Sequence, residues 1–293
     1  PRASRGRRTD GDSRHRAARL ARQTVKYIVS FSGGVASWAA AKRLRATVAA
    51  EEMVLVFADT GIEDEDAYRF LVQASANVGV PLTVIADGRT PWQIFRDERF
   101  IGNSRVDPCS RILKRDLLDR WRRTRYSPDT AVTVLGFTAE ESRRLERYRR
   151  AVAPWLAEAP LCEPPEMDKG DAMDWLKAEG IRPPRLYAMG FKTNNCGGFC
   201  IKAGHEQFAL LLRVNKPRFL EHEHEEEATR QFLGRDDIAI LRDRRGGIVK
   251  PLTLREFRRR AEAQEELDCF GGSDCACFSP EEGASCLGEL VAT

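Results

Sequence analysis

Residues 25–46 constrain this chain more than any other stretch. Val25-Lys26-Tyr27-Ile28-Val29 is a short β-type run, Ser30-Phe31-Ser32-Gly33-Gly34 a tight turn, and Val35 to Ala46 an Ala-rich helical run. A strand that enters a helix through two glycines gathers backbone N–H groups at the positive end of the helix dipole, and that makes an anion site. Ser32 and Ser37 add hydroxyl donors. The G-x-x-x-x-G-K-[ST] spacing of a Walker loop is absent, with its lysine. An ordinary Gly-containing βα turn shares this outline, so the rest of the chain must decide between the two.

The first half repeats the alternation. Strands are expected over 25–31, 52–58, 81–86 and 131–135, and helices over 35–46, 64–77 and 110–123. This order predicts an α/β fold with a doubly wound parallel sheet and right-handed crossovers. Ligands of such sheets bind beyond the carboxyl ends of the strands. The glycine turn, Asp59-Thr60-Gly61 and Gly136 all fall there. From about residue 152, prolines at 154, 160, 164, 165, 183 and 184 break the pattern, and helices are expected over 169–179, 201–214, 217–232 and 253–266. The expected organisation is a basic arm over 1–24, an α/β domain over 25–151, and a smaller, mainly helical, Cys-rich region over 152–293 that completes the site.

Charge is uneven. Residues 1–22 hold eight arginines against Asp10 and Asp12, so the net +4 of the chain hides a start of +6 and a remainder of about −2. An arm of this kind, without apolar periodicity, reads as disordered, and it could hold a nucleic-acid backbone or act as a solubilising tail. No apolar run approaches the roughly 18–20 residues of a membrane span and no signal peptide is expected. Eight cysteines without an export signal suit a reducing, cytoplasmic setting with metal or redox chemistry rather than a disulfide framework.

Four elements, in order, resemble the PP-loop ATP pyrophosphatases, in particular the phosphoadenosine phosphosulfate reductase-like branch related to the tRNA and DNA thiolation enzymes and the ATP sulfurylase small subunit. The first is Ser32-Gly33-Gly34-Val35-Ala36-Ser37, where Val35-Ala36 replaces the family's usual Lys-Asp. The second is Asp59-Thr60-Gly61 with Glu63, Asp64, Glu65 and Asp66 behind it. The likeness makes this strand end the adenosine pocket, with Asp59 on a ribose or a Mg²⁺-bound water; Glu65 and Asp66 read as a helix first turn. The third is Cys109 with Lys114 five residues on. The resemblance places Lys114 at the α-phosphorus. The fourth is Gly136 followed by Glu141-Ser142-Arg143-Arg144, where Thr138 replaces a frequent Arg. Arg143 and Arg144 are candidate oxyanion clamps; Arg147, Arg149 and Arg150 read as a solvated helix face.

Cys196-Gly197-Gly198-Phe199-Cys200 puts two thiols four residues apart on a Gly-rich turn before a helix, and the tail adds Cys269, Cys275, Cys277 and Cys286. Four thiolates suit a [4Fe–4S] cluster or tetrahedral Zn²⁺. The family likeness favours iron–sulfur on Cys109, Cys196 and Cys200, with Cys277 or Cys275 as fourth ligand. Cys162 and Cys286 read as ordinary thiols, and His222 and His224 as facing water. The resemblance implies an enzyme that binds ATP and Mg²⁺, adenylates an acceptor with release of pyrophosphate, and passes sulfur from a donor, with a homodimer left open. A sulfonucleotide reductase using a tail cysteine such as Cys277 is the alternative enzyme. A nucleic-acid-binding module with structural zinc is the alternative from another class.

Overall fold

The computed structural model describes residues 25–245 and 248–269. The basic arm and the tail with Cys275, Cys277 and Cys286 lie outside the described residues. The chain divides into two compact units between Leu254 and Arg255.

In chain order the first unit runs β1 (Lys26–Ser30), α1 (Val35–Arg45), β2 (Met53–Asp59), α2 (Glu65–Val78), β3 (Leu82–Ala86) and α3 (Pro91–Asp97). Then come α4 (Pro108–Ser110), a π turn (Arg111–Asp116), α5 (Leu117–Arg123), β4 (Ala131–Val134), α6 (Ser142–Val152) and β5 (Leu156–Glu158). Helices α7 (Lys169–Ala178), α8 (Arg185–Ala188), α9 (His205–Val214) and α10 (Lys216–Leu233) follow, then a small antiparallel pair, β6 (Leu241–Asp243) and β7 (Lys250–Leu252). Helix α11 (Leu254–Cys269) starts on the last residue of the first unit, and its residues 255–269 are the described part of the second, where the ion pairs Arg258–Glu262 (2.9 Å) and Arg260–Glu256 (2.7 Å) join successive turns.

The main sheet has the order β3-β2-β1-β4-β5 and is parallel throughout. The order reverses between β1 and β4, and the carboxyl ends of the strands flanking such a switch point are where open parallel sheets take their ligands. Alternate residues of each strand feed opposite faces. Val29, Leu55, Phe57 and Val134 pack with Trp38, Phe70 and Leu71 of α1 and α2 and with Ala172 and Leu176 of α7. Ile28, Val56 and Ala131 pack on the other face with Trp155, Leu118 and Trp121. Ala39, Ala40 and Ala41 are wholly buried. Their small side chains let α1 lie close to the sheet, which fixes the turn before it. Trp38, also fully buried, adds apolar burial of about 3 kcal/mol, and its indole N–H donates to Asn77 Oδ1 at 3.0 Å.

The strand alternation runs one element beyond the expected boundary at residue 151. The fifth strand pairs Leu156, Ala157 and Glu158 with Val132, Thr133 and Val134. Three residues between prolines give too short a period-two signal to read. The helix expected from residue 201 begins at His205, because Cys196–Ala203 is a turn. His222 corrects another expectation: it is buried at 5% exposure, while His224 is exposed. On α10 the buried stripe is Phe219, His222, Glu223, Glu226, Thr229 and Leu233, a helical spacing that uses polar residues and so escapes a hydrophobicity reading.

Candidate functional site

The turn after β1 is built largely from backbone. Phe31 N–H extends the ladder to Val56 O at 2.8 Å, Gly33 turns the chain with φ +75°, and Gly34 is the extended N-cap of α1. Ser37 is buried and its hydroxyl donates to Gly34 O at 2.7 Å, inside the turn; Ser32 is exposed. Gly136, just past β4, closes against this turn. A Cβ there would lie 2.7 Å from Ser37 Cα and N and 2.9 Å from Ala36 C, so only glycine allows this approach. The structure thus brings together the glycine turn and the end of β4, two stretches about a hundred residues apart in sequence.

Asp59 ends β2. It accepts Gly61 N–H at 2.9 Å and the Tyr68 hydroxyl at 3.0 Å on both oxygens. Burial and the Asp59 carboxylate push the Tyr68 phenol well above its ordinary value. Thr60 is buried and donates to Glu63 Oε1 at 2.9 Å. Asp64 caps α2 through Asp66 N–H (2.9 Å) and pairs with Arg185 at 2.8 Å. Hydrogen bonding from Arg69 holds Asp66 at about 2, with help from the Arg185 backbone N–H. Glu65 is exposed.

Past β4, Thr138 caps a 3₁₀ turn (Ala139–Glu141) in a reciprocal box with Glu141. Glu141 also pairs with Arg144 at 2.6 Å, and the Arg144 guanidinium lies 4.5 Å from the centroid of Phe137. Ser142 and Arg143 are exposed at the start of α6. Cys162 donates its S–H to Phe137 O (3.4 Å) and Thr138 O (3.2 Å).

The cysteine turn is held by side chains. Glu63, 3% exposed in its side chain, is the hub: it accepts Thr60, Lys114 Nζ at 3.2 Å, and Cys196 N–H at 2.6 Å. Cys196 itself takes φ +52°. A hydrogen bond to Cys200 and burial raise the Cys196 thiol, and the same bond lowers Cys200 with help from Lys114 and Lys202. Burial pushes Cys109 up to about 11, with Cys200 nearby adding to the rise. Burial works against the Lys114 charge, but Cys196 and Glu63 outweigh it and hold the ammonium above its ordinary range. Arg218 of α10 reaches in and donates to Ile62 O and to Cys196 O (3.4 Å). Its guanidinium lies where a Cβ on Gly197 would come within 2.2–2.5 Å. Asn194 Nδ2 donates to Gly33 O at 2.9 Å, which ties the cysteine turn to the glycine turn. Beneath them His222 stacks on Phe199 at 3.6 Å and accepts the Trp92 indole N–H at 3.0 Å.

Cys109, Cys196 and Cys200 thus gather around Lys114. Among the described residues, however, no group of three or more Cys, His, Asp or Glu side chains is placed to hold a metal ion. The Cys196–Cys200 pair bonds to itself, and a fixed ammonium adjoins it. The described thiols therefore do not fit a cluster as they stand; Cys275 and Cys277 lie outside the described residues.

Asn194, Glu63, Arg218 and Tyr187 build the site without standing out as site residues in the sequence. Tyr187 places its hydroxyl 3.5 Å from the Cβ position of Gly34. Glu63 stood in the acidic run after Asp59-Thr60-Gly61 and Asn194 two residues before Cys196, and neither place marks a side chain for burial. Arg218 and Tyr187 carry no signal either, because each acts across the fold.

No family model matches the chain, and no curated protein matches it. Among solved structures it is similar to the phosphoadenylyl-sulfate (PAPS) reductase of Candida auris in a phosphate complex. Identity there is 13%, over 64% of this chain and 88% of that chain, with a TM-score of 0.44. It is also similar to the NH3-dependent NAD synthetase of Campylobacter jejuni subsp. jejuni in complex with nitrate, at 10% identity over 76% and 92%, with a TM-score of 0.38. Function has to be read from this chain's own residues. Among the described residues no helix is long and apolar enough to cross a membrane.

Proposed function

We propose that this chain is a PP-loop enzyme that binds ATP, adenylates an acceptor with release of pyrophosphate, and supports transfer of sulfur to it. The observation that carries the reading is the seating of Gly136 on the Ser37 backbone, which sets the β4 end against a glycine turn at the switch point of the sheet. The N–H groups of the turn and the Ser32 hydroxyl hold the terminal phosphates, and the Asp59-Thr60-Gly61 end receives the adenosine. Mg²⁺ would neutralise the triphosphate, with Asp59 as the carboxylate at hand. An acceptor oxygen attacks the α-phosphorus, the α–β bond breaks and pyrophosphate leaves. A hydrosulfide-level sulfur from the donor then attacks the activated carbon, a C–S bond forms as the C–O bond to AMP breaks, and the proton on sulfur is released. Preorganised donors supply most of such catalysis, and Lys114 contributes positive charge beside Cys200. No step is assigned to an iron–sulfur cluster.

The test is titration of the intact chain with ATP, followed by assay of pyrophosphate with candidate acceptors. ATP should bind, Gly34→Val should abolish binding, and the released product should be pyrophosphate. Release of orthophosphate, or failure to bind ATP while a phosphosulfate nucleotide binds, overturns the reading; the second result favours a sulfonucleotide reductase.

A further inference from the structure

Helix α6 reads Ser-Arg-Arg-Leu-Glu-Arg-Tyr-Arg-Arg-Ala-Val, five arginines against one glutamate. At about 100° per residue, Leu145, Tyr148 and Val152 share one side, and they pack inward with Leu135, Ala159 and Trp155. Arg143, Arg147 and Arg150 share the opposite side and are exposed. Arg144 and Arg149 have carboxylate partners, Glu141 at 2.6 Å and Glu146 at 3.0 Å. Arg143, Arg147 and Arg150 have none among the described residues. They form a stripe about 10 Å long.

The stripe does not stop with the helix. Val152 and Trp155 pack against Leu118 and Trp121 of α5. The Arg122 and Arg123 guanidinium carbons stand 4.1 and 5.8 Å from the Trp155 ring centroid. Arg123 and Arg125 are exposed there; Asp119 alone pairs with both Arg122 and Arg123, so the end of α5 keeps a net positive charge beside the C-terminal end of α6.

We infer that the outer face of α6, continued by the end of α5, docks the phosphodiester backbone of a nucleic acid. Three exposed guanidinium groups without a carboxylate partner among the described residues, one of them (Arg150) steadied by its Nε–H on Glu146 O at 3.3 Å, suit a regular polyanion better than a single small anion. A membrane-surface helix would present apolar side chains beside its basic ones, whereas those of α6 are turned into the core. The helix begins shortly after Gly136, so the stripe leads from the glycine turn outward. It stands on α6 and α5 alone and holds whether or not ATP is the ligand at that turn.

The test uses fluorescence anisotropy of the full chain with a labelled RNA stem-loop and a DNA duplex of about 20 nucleotides, across a range of KCl concentrations. Replacing all three stripe residues, R143Q/R147Q/R150Q, should weaken binding about tenfold or more and flatten the slope of log affinity against log salt by about two to three. The R143K/R147K/R150K variant, which keeps the charge, should retain most of that slope and controls for folding. Tighter binding of one probe identifies RNA or DNA as the source. An S32A variant should keep its nucleic-acid affinity, which separates this inference from the ATP reading. It is overturned if neither probe binds, if the glutamine variant matches the parent in affinity and slope while removal of residues 1–24 abolishes binding, or if phosphatidylserine vesicles bind through these arginines and nucleic acid does not.

Discussion

Two glycine-rich turns meet in this molecule, and they are held in opposite ways. The turn at residues 32–37 is fixed by backbone: a ladder bond from Phe31, an N-cap at Gly34, and the Cα of Gly136 against Ser37. The turn at 196–200 is fixed by side chains from distant elements: Glu63 after β2, Arg218 on α10, and His222 stacked beneath Phe199. A backbone-held turn tolerates variation in the side chains around it and very little at its glycines. A turn held by side chains yields where those side chains can move, and it responds to their charge. The first arrangement suits binding of a constant group such as phosphate, the second an element whose chemistry is tuned by its surroundings.

The sharpest way to break this contrast is Gly136→Ala. Backbone faces the added methyl at 2.7 Å and cannot swing aside, so the variant should lose roughly 3 kcal/mol of stability and its ATP binding. Chemical denaturation and titration check both, and a stable variant with normal affinity would show that the close approach is not what shapes the first turn.

Under the second turn, acid is the probe. Burial, followed by the Arg218 charge, lowers His222 to about 3. Its unfolded value is near 6.5, so below that pH the unfolded chain takes up a proton that the folded chain refuses. Stability from this group is intact above about pH 6.5 and falls as pH drops toward 3, by about 2 kcal/mol between pH 7 and pH 5. The His222→Phe variant should lack this component, which denaturation at the two pH values measures. Equal acid sensitivity in parent and variant would remove His222 from the account.

Gly197→Ala tests the same turn more gently. Its φ is +58° and the obstructing group is the end of the Arg218 side chain, which can withdraw. The expected cost is about 1–2 kcal/mol. Arg218→Ala in the Gly197→Ala background should recover part of it, and a double-mutant cycle measures the coupling. Strict additivity would mean that the guanidinium does not shape the turn.

The same contrast explains what the sequence reveals. The parallel sheet, the glycine turn, Asp59 and Gly136 were legible because strand periodicity and glycine placement are local signals. The Cys196–Cys200 pair was legible from its spacing and Cys109 joined it only through the family resemblance, while their relation to Lys114 and Glu63 was not legible. His222 was assigned to water from its acidic neighbours Glu221, Glu223 and Glu225; its burial depends on Trp92 and Phe199, far off in the chain. Strand β5 was hidden by its length. What escaped is what side chains do across the fold, where no periodicity records the partner.

The smallest expected effect lies where the two turns touch. Asn194 is 4% exposed and its Nδ2 donates to Gly33 O at 2.9 Å, while its Oδ1 is buried without a partner among the described residues. Asn194→Ala leaves a buried carbonyl unpaired but also removes the orphaned acceptor. The two effects oppose each other, and the net loss of stability should be only about 1 kcal/mol. ATP affinity should fall by roughly fivefold, since a less constrained Gly33 must be ordered again on binding. Asn194→Asp should be worse than alanine, because it sets a carboxylate oxygen against the Gly33 carbonyl and beside the phosphates. If alanine changes neither stability nor affinity, the side-chain-held turn exerts no grip on the backbone-held one, and the two act as separate devices rather than as one site.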